Sequence, residues 1–126
     1  MKIQMIDPKR LRHIEGHSKR RAKWLEKKIL DEGVWTKPLA IERTHKLVLD
    51  GQHRMEVALA LGLRKVPCVM YDYDDVEVWS LRDNHEVTAA LVIEKSLRGD
   101  IYPYKTAKHR FPTELPAIEI ALEKLR

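Results

Sequence analysis

Leu47-Val48-Leu49-Asp50-Gly51-Gln52-His53-Arg54 is the stretch in which the hydrophobic pattern changes period. Three successive apolar residues read as a short buried strand. From Gln52 onward Met55, Ala58, Leu59 and Gly62 follow at the spacing of one helix face, with Gly62 just past the helix end. The segment is therefore strand, turn, helix, with a glycine at the turn. Glycine allows close backbone approach, and a helix N-terminus offers unpaired N–H groups and partial positive charge, so an anion binds there readily. His53 and Arg54 add side-chain donors, and a guanidinium grips phosphate through two bonds. Asp50, at the carboxyl end of the strand, is suited to hold Mg²⁺ through oxygen or to accept a hydrogen bond from a substrate. A second reading stays open, a plain turn in which Asp50 only caps the helix.

Outward from that turn, Leu39-Ala40-Ile41 and Leu47-Val48-Leu49 flank a polar turn and predict paired strands. Residues 2–6 predict a strand ended by Asp7-Pro8, because a residue before proline is pushed away from helical backbone angles. Ser18 is a natural N-cap for a helix through Glu32, with Ala22, Leu25 and Ile29 inward and Gly33 past its end. Lys65 to Asp72 and Val76 to Leu81 predict further strands. Residues 85–98 predict a helix with Ala90, Ile93 and Leu97 inward, stopped by Gly99. The proline-rich, basic stretch 103–112 reads as a loop, and a short element of unassigned type surrounds Ile118-Glu119-Ile120. No repeat or Gly/Ser linker divides the chain, so residues 1–126 are expected to form one α+β domain.

The 126 residues are 44% hydrophobic and 34% charged, a balance that supports a core and argues against a disordered or membrane chain. No apolar run reaches the roughly 18 residues of a membrane span, and the N-terminus lacks the apolar stretch of a secretory signal. A cytoplasmic location is the default expectation. Cys68 is the only cysteine, which points to a buried thiol in a reducing compartment. Residues 9–28 carry nine Lys or Arg against Glu15 and Glu26, a local excess of seven positive charges in a chain of net charge +5. Such a patch attracts polyanions, or forms a solvated helix face.

Two further constellations hold chemistry-bearing side chains. Arg12-His13-Ile14-Glu15-Gly16-His17-Ser18 sets one acid among cationic and imidazole groups, as a general base or as a surface ion partner. Tyr104-Lys105-Thr106-Ala107-Lys108-His109-Arg110 is dense in donors suited to a carboxylate or phosphate, or to solvent. His13 and His17 stand four apart, the spacing of a helical ligand pair. Gly16 and the cap at Ser18 put them ahead of the helix, and no cysteine lies near, so no transition-metal site is expected. Trp24, Trp35 and Trp79 read as core or pocket-wall residues, Trp79 being the one near a candidate site.

The order of these pieces resembles the ParB/sulfiredoxin-like superfamily, and within it the free serine kinases. Three motifs carry the resemblance: His13-Ile14-Glu15; Leu49-Asp50-Gly51-Gln52-His53-Arg54; and Gly99-Asp100-Ile101-Tyr102 through Lys105-Thr106 to His109, with Pro112 following. The resemblance implies a small mixed sheet with about three helices. It implies a phosphotransferase acting on the hydroxyl of free L-serine, with ATP or ADP as donor and Mg²⁺. Glu15 would be the catalytic base, Asp50 would support substrate or metal, and Gly51, Gln52, His53 and Arg54 would lie at the nucleotide phosphates. Trp79, Lys105, Thr106 and His109 would take the amino acid. Gln52 stands where one of two adjacent histidines is usual, and Ala107 and Lys108 where Thr and Arg are common. A sulfiredoxin would carry its catalytic cysteine at position 52, and a partition protein would add a helix-turn-helix for which these residues leave no room, so nucleic acid is not the expected partner. The alternatives are a nucleotide- or DNA-binding regulator without transfer chemistry and a kinase for another small hydroxyl compound.

Overall fold

A computed structural model describes residues 2–126. Strand β1 (Gln4–Ile6) leads through an irregular segment to helix α1 (Lys19–Glu32), then β2 (Val34–Trp35), β3 (Leu39–Glu42) and β4 (Leu47–Asp50). Helix α2 (Gln52–Ala60), β5 (Val66–Tyr71), β6 (Glu77–Ser80), α3 (Ala89–Arg98), β7 (Ala107–Arg110) and β8 (Ile120–Ala121) follow. The main sheet has the order β1-β5-β3-β4, with β3 and β5 parallel and the other pairs antiparallel, as expected for a mixed sheet in an α+β fold.

Alternation along β3 and β4 explains why both sheet faces are covered. Leu39, Ile41 and Val48 face one cluster with Leu25 and Ile29 of α1, Met55 of α2 and the fully buried Trp35. Ala40, Leu47 and Leu49 face a second cluster with Val69, Tyr71, Val92 of α3 and Tyr102. The caps follow local chemistry. Ser18 accepts from the Arg21 N–H at 3.1 Å and Gly33 adopts φ +69°, closing α1 at both ends.

Three sequence expectations shift. Helix α3 begins at Ala89 rather than near residue 85, because the Thr88 hydroxyl caps it through the Leu91 N–H, and its most buried side chains are Val92 and Ser96, with Ala90 and Leu97, expected inward, exposed. Residues 107–110, expected as loop, form β7 because β6 offers it an unpaired edge, in the register Val78 opposite His109. The element near residue 120 is β8, which pairs with the two-residue β2. No helix among the described residues is long and apolar enough to cross a membrane.

Candidate functional site

At the carboxyl end of β4 the chain turns at Gly51 with φ +118°, a conformation that L side chains rarely adopt. A Cβ there would lie 2.9 Å from Leu39 Cγ, in a residue that is itself fully buried, so the position demands glycine on two counts. Gly51 is the N-cap of α2 and supplies no side-chain bond, so Asp50 does not cap the helix. The Asp50 carboxylate instead meets Lys37 Nζ at 3.5 Å. The first-turn N–H groups of α2 open onto a cleft of about 650 Å³.

Arg54 and His53 line that cleft. Arg54 Nε is buried without a hydrogen-bond partner among the described residues, and burial, reinforced by the neighbouring Arg21, pulls the guanidinium below its usual pKa against the opposing pull of Asp50. A half-buried guanidinium with an unused donor is suited to grip an anion. His53 Nε2 accepts the Ser18 N–H at 3.1 Å. A backbone N–H can only donate, so the ring proton resides on Nδ1. Burial first, then the nearby Arg21 guanidinium, lower the His53 pKa and favour this neutral form. Gln52 differs from the phosphate role read for it: its side chain is buried, its amide nitrogen donates to Val48 O and its Oε1 meets His13 Nδ1. Only its backbone is left for an anion.

Glu15 lines the same cleft. Two backbone bridges fix its segment, one between Arg12 and the β4 start (Val48 N to Arg12 O, 2.9 Å) and one between Glu15 and Tyr102 (Gly16 N to Tyr102 O, 2.8 Å). Its Oε1 accepts from the N–H groups of Ala107 at 2.8 Å and Thr106 at 3.4 Å, presented by a turn in which Lys105 has φ +57°. Burial raises the Glu15 pKa; the backbone donors of Ala107, Thr106 and Lys105 and the charge of Arg82 hold the rise in check. Oε2 accepts none of these bonds, which leaves a carboxylate oxygen of enhanced basicity for a substrate proton.

The Lys105-to-His109 loop divides by side chain. Lys105 and His109 line the cleft, whereas the Thr106 hydroxyl turns inward to Pro103 O at 2.6 Å and the residue is wholly buried. Thr106 therefore acts on Glu15 through its backbone, not as a side-chain ligand. His109 Nε2 pairs with the Tyr73 hydroxyl at 2.6 Å, its Nδ1 has no partner among the described residues, and burial lowers its pKa to about 4. Trp79 pairs across β6–β7 with Lys108 and is 41% exposed; Lys108 and Leu81 line the cleft and Trp79 does not, which sets it at the rim. Trp24, expected as core or pocket wall, and Tyr104 and Lys108 of the donor-dense stretch line the cleft, and residues not singled out from the sequence complete the walls: Arg21, Lys28, Lys37 and Phe111. Arg21 and Lys28 lie inside the basic segment 9–28, which was the available signal. With Arg54 and Lys105, six cations face two carboxylates, Glu15 and Asp50.

No family model matches the chain. A ParB-like protein of Sulfolobus acidocaldarius is 39% identical over 41 residues, 32% of this chain and 21% of the relative's length. The chain thus spans about a fifth of that relative. Among solved structures, a free serine kinase in complex with AMP superposes with a TM-score of 0.89 at 16% identity, over 98% of this chain and 93% of that one. An ADP complex of a mutant of a free serine kinase gives 0.89 at 15%, over 100% and 95%. C-terminally truncated SbnI from Staphylococcus aureus gives 0.88 at 10%, over 98% and 89%. The chain therefore shares the fold of free serine kinase and of truncated SbnI.

Proposed function

We propose that this chain is an adenine-nucleotide-dependent phosphotransferase whose acceptor is the hydroxyl of free L-serine. One observation carries the reading: a half-buried carboxylate with a free oxygen, Glu15, shares one cleft with the glycine turn, the open N-terminus of α2 and the unpartnered Arg54. The likeness to structures holding AMP and ADP supports an adenine nucleotide as the other substrate.

In this reading the N–H groups after Gly51, the His53 Nδ1–H and Arg54 hold the polyphosphate, and Lys37 and Arg21 spread its charge. Asp50 suits Mg²⁺, being a half-exposed oxygen donor whose ion pair with Lys37 is exchangeable. The ion would neutralise charge on the phosphate oxygens. Glu15 Oε2 takes the hydroxyl proton as the serine oxygen bonds to the terminal phosphorus, and the bond to the bridging oxygen breaks to release the shortened nucleotide. Lys105 would receive the serine carboxylate, with His109 beside it and Trp79 at the rim. The transfer needs positioning and charge neutralisation above all, and the cleft supplies both from preset groups.

Incubation with L-serine, Mg²⁺ and either ATP or ADP, followed by mass detection of O-phosphoserine, tests the assignment. Glu15→Gln should lower turnover by roughly 10²–10⁴-fold while nucleotide affinity survives, since the Oε1 bonds to the loop are retained by the amide. Loss of nucleotide binding in that variant would remove Glu15 from the role of base. Failure with both donors, together with steeply salt-dependent DNA binding, would assign the cleft to a regulator instead. Phosphorylation of a different small alcohol would keep the chemistry and change the acceptor.

A further inference from the structure

Two imidazoles and a carboxylate converge beside the cleft on residues that phosphoryl transfer does not use. His13 and His17 come from the irregular segment ahead of α1, and Glu56 from the second turn of α2. His13 Nε2 lies 3.2 Å from Glu56 Oε2, and His17 Nε2 lies 3.2 Å from Glu56 Oε1. The two rings stack with centroids 5.2 Å apart. One donor atom from each of the three lies within 4.8 Å of the others.

The hydrogen bonds fix which atoms of Gln52 and His13 face each other. The Gln52 amide nitrogen must be the atom facing Val48 O, because a carbonyl only accepts. Gln52 Oε1 is therefore the atom facing His13 Nδ1, and Nδ1 must donate to it. The remaining nitrogen of neutral His13, Nε2, then turns a lone pair toward a carboxylate oxygen. The two atoms, 3.2 Å apart, are spaced to share a cation, a proton or a metal ion. A histidine whose other ring nitrogen donates to a fixed oxygen is the arrangement of a metal ligand, oriented and made more basic by that bond. Metal–donor bonds of about 2.0–2.1 Å put tetrahedral ligand atoms about 3.3 Å apart, close to both nitrogen–oxygen separations here.

We propose that His13 Nε2, His17 Nε2 and Glu56 bind one divalent transition-metal ion, Zn²⁺ foremost, with water completing the coordination. Two imidazoles select such an ion over Mg²⁺, which prefers oxygen. The ion ties the segment that carries Glu15 to the helix whose N-terminus faces the nucleotide site, so its role is positional and separate from any ion at the phosphates. Helical spacing was the wrong template for this pair: the third ligand arrives from α2, and a loop delivers the two histidines.

The test uses tag-free protein stripped with chelator and returned to buffer, with circular dichroism confirming the fold. Zn²⁺ titrated by calorimetry should bind one per chain with Kd of about 1 μM or tighter, and Co²⁺ should give the visible absorption of a low-coordinate nitrogen–oxygen site. Excess Mg²⁺ should not displace either. His17→Ala and Glu56→Gln should each weaken Zn²⁺ at least about 100-fold, and Gln52→Leu, which leaves all three ligands, about 10- to 100-fold. Glu56→Gln, close to isosteric, decides the matter if His17→Ala unfolds. Wild-type binding no tighter than about 100 μM, or binding untouched by Glu56→Gln, would overturn the site and leave a protonated histidine as the cation between the rings and Glu56. No nucleotide or serine enters this experiment, so its outcome is independent of the kinase assay.

Discussion

Acidification should destabilise this protein through His109, by an amount its surroundings set. The ring is nine-tenths buried between the Tyr73 hydroxyl and the cleft, and the cost of burying a charge lowers its pKa from 6.5 to about 4, with Lys108 adding to the shift and Asp50 opposing it. Between those two values the unfolded chain holds a proton that the folded chain refuses. Stability from this group is thus complete above about pH 6.5 and is lost as pH falls toward 4, with a slope of up to about 1.4 kcal/mol per pH unit. From pH 7 to pH 5 the loss is about 2 kcal/mol, a sizeable part of the stability of a small domain. Other histidines and carboxylates titrate over the same range, so the informative quantity is a double difference. Urea unfolding of the wild type and of His109→Gln, followed by tryptophan fluorescence at half-unit pH steps, isolates the His109 contribution. The wild-type advantage should shrink by about 2 kcal/mol between pH 7 and pH 5. A difference that stays flat across that range would show that the folded protein accepts the proton, and the argument from burial would fail.

Gly51→Ala combines a positive φ of 118° with a Cβ 2.9 Å from Leu39 Cγ, so a loss of roughly 2–5 kcal/mol is expected in denaturant unfolding; a loss under about 0.5 kcal/mol would mean that the turn relaxes. Arg54→Leu should separate affinity from stability. Removing a half-buried guanidinium whose Nε has no partner should leave the melting temperature unchanged or higher, while calorimetry shows ADP affinity down about 10- to 100-fold; unaltered affinity would exclude Arg54 from the phosphate site. Cys68 is fully buried and its thiol is pushed up to about 12, so it should resist iodoacetamide in the native state and label only on unfolding. Rapid native labelling would contradict that burial.

Much of the architecture was readable because local and tertiary preferences agree. The period change at Asp50-Gly51 marks the strand-to-helix junction, and Ser18 and Gly33 bracket α1 as their cap chemistry requires. Legibility failed where a neighbour supplies the reason for the structure. Nothing in Ala107-Lys108-His109-Arg110 favours a strand over a loop until the edge of β6 is beside it. The two-residue β2 and β8 are too short to show a period at all, and exist because Trp35 and Ile120 are brought into register by the core beneath.

The site shows the same division at the level of atoms. Residue types announced Glu15, Asp50 and Arg54, since acids and guanidinium beside a glycine turn are chemically legible wherever the fold puts them. Which atom faces the cleft was not legible. Thr106 has a hydroxyl suited to a ligand, yet the turn at Lys105 spends that hydroxyl on Pro103 O and offers Glu15 the backbone N–H instead, a donor that every residue but proline carries and no sequence can advertise. Gln52 is the sharper case. Its place after Gly51 suggested phosphate, but burial turns its amide toward Val48 O and His13, so the side chain orients an imidazole while its backbone remains at the helix N-terminus. One residue thus serves two neighbouring sites through different atoms. Substituting its side chain should therefore move metal affinity while leaving the α2 N-terminus, and the nucleotide it would receive, in place.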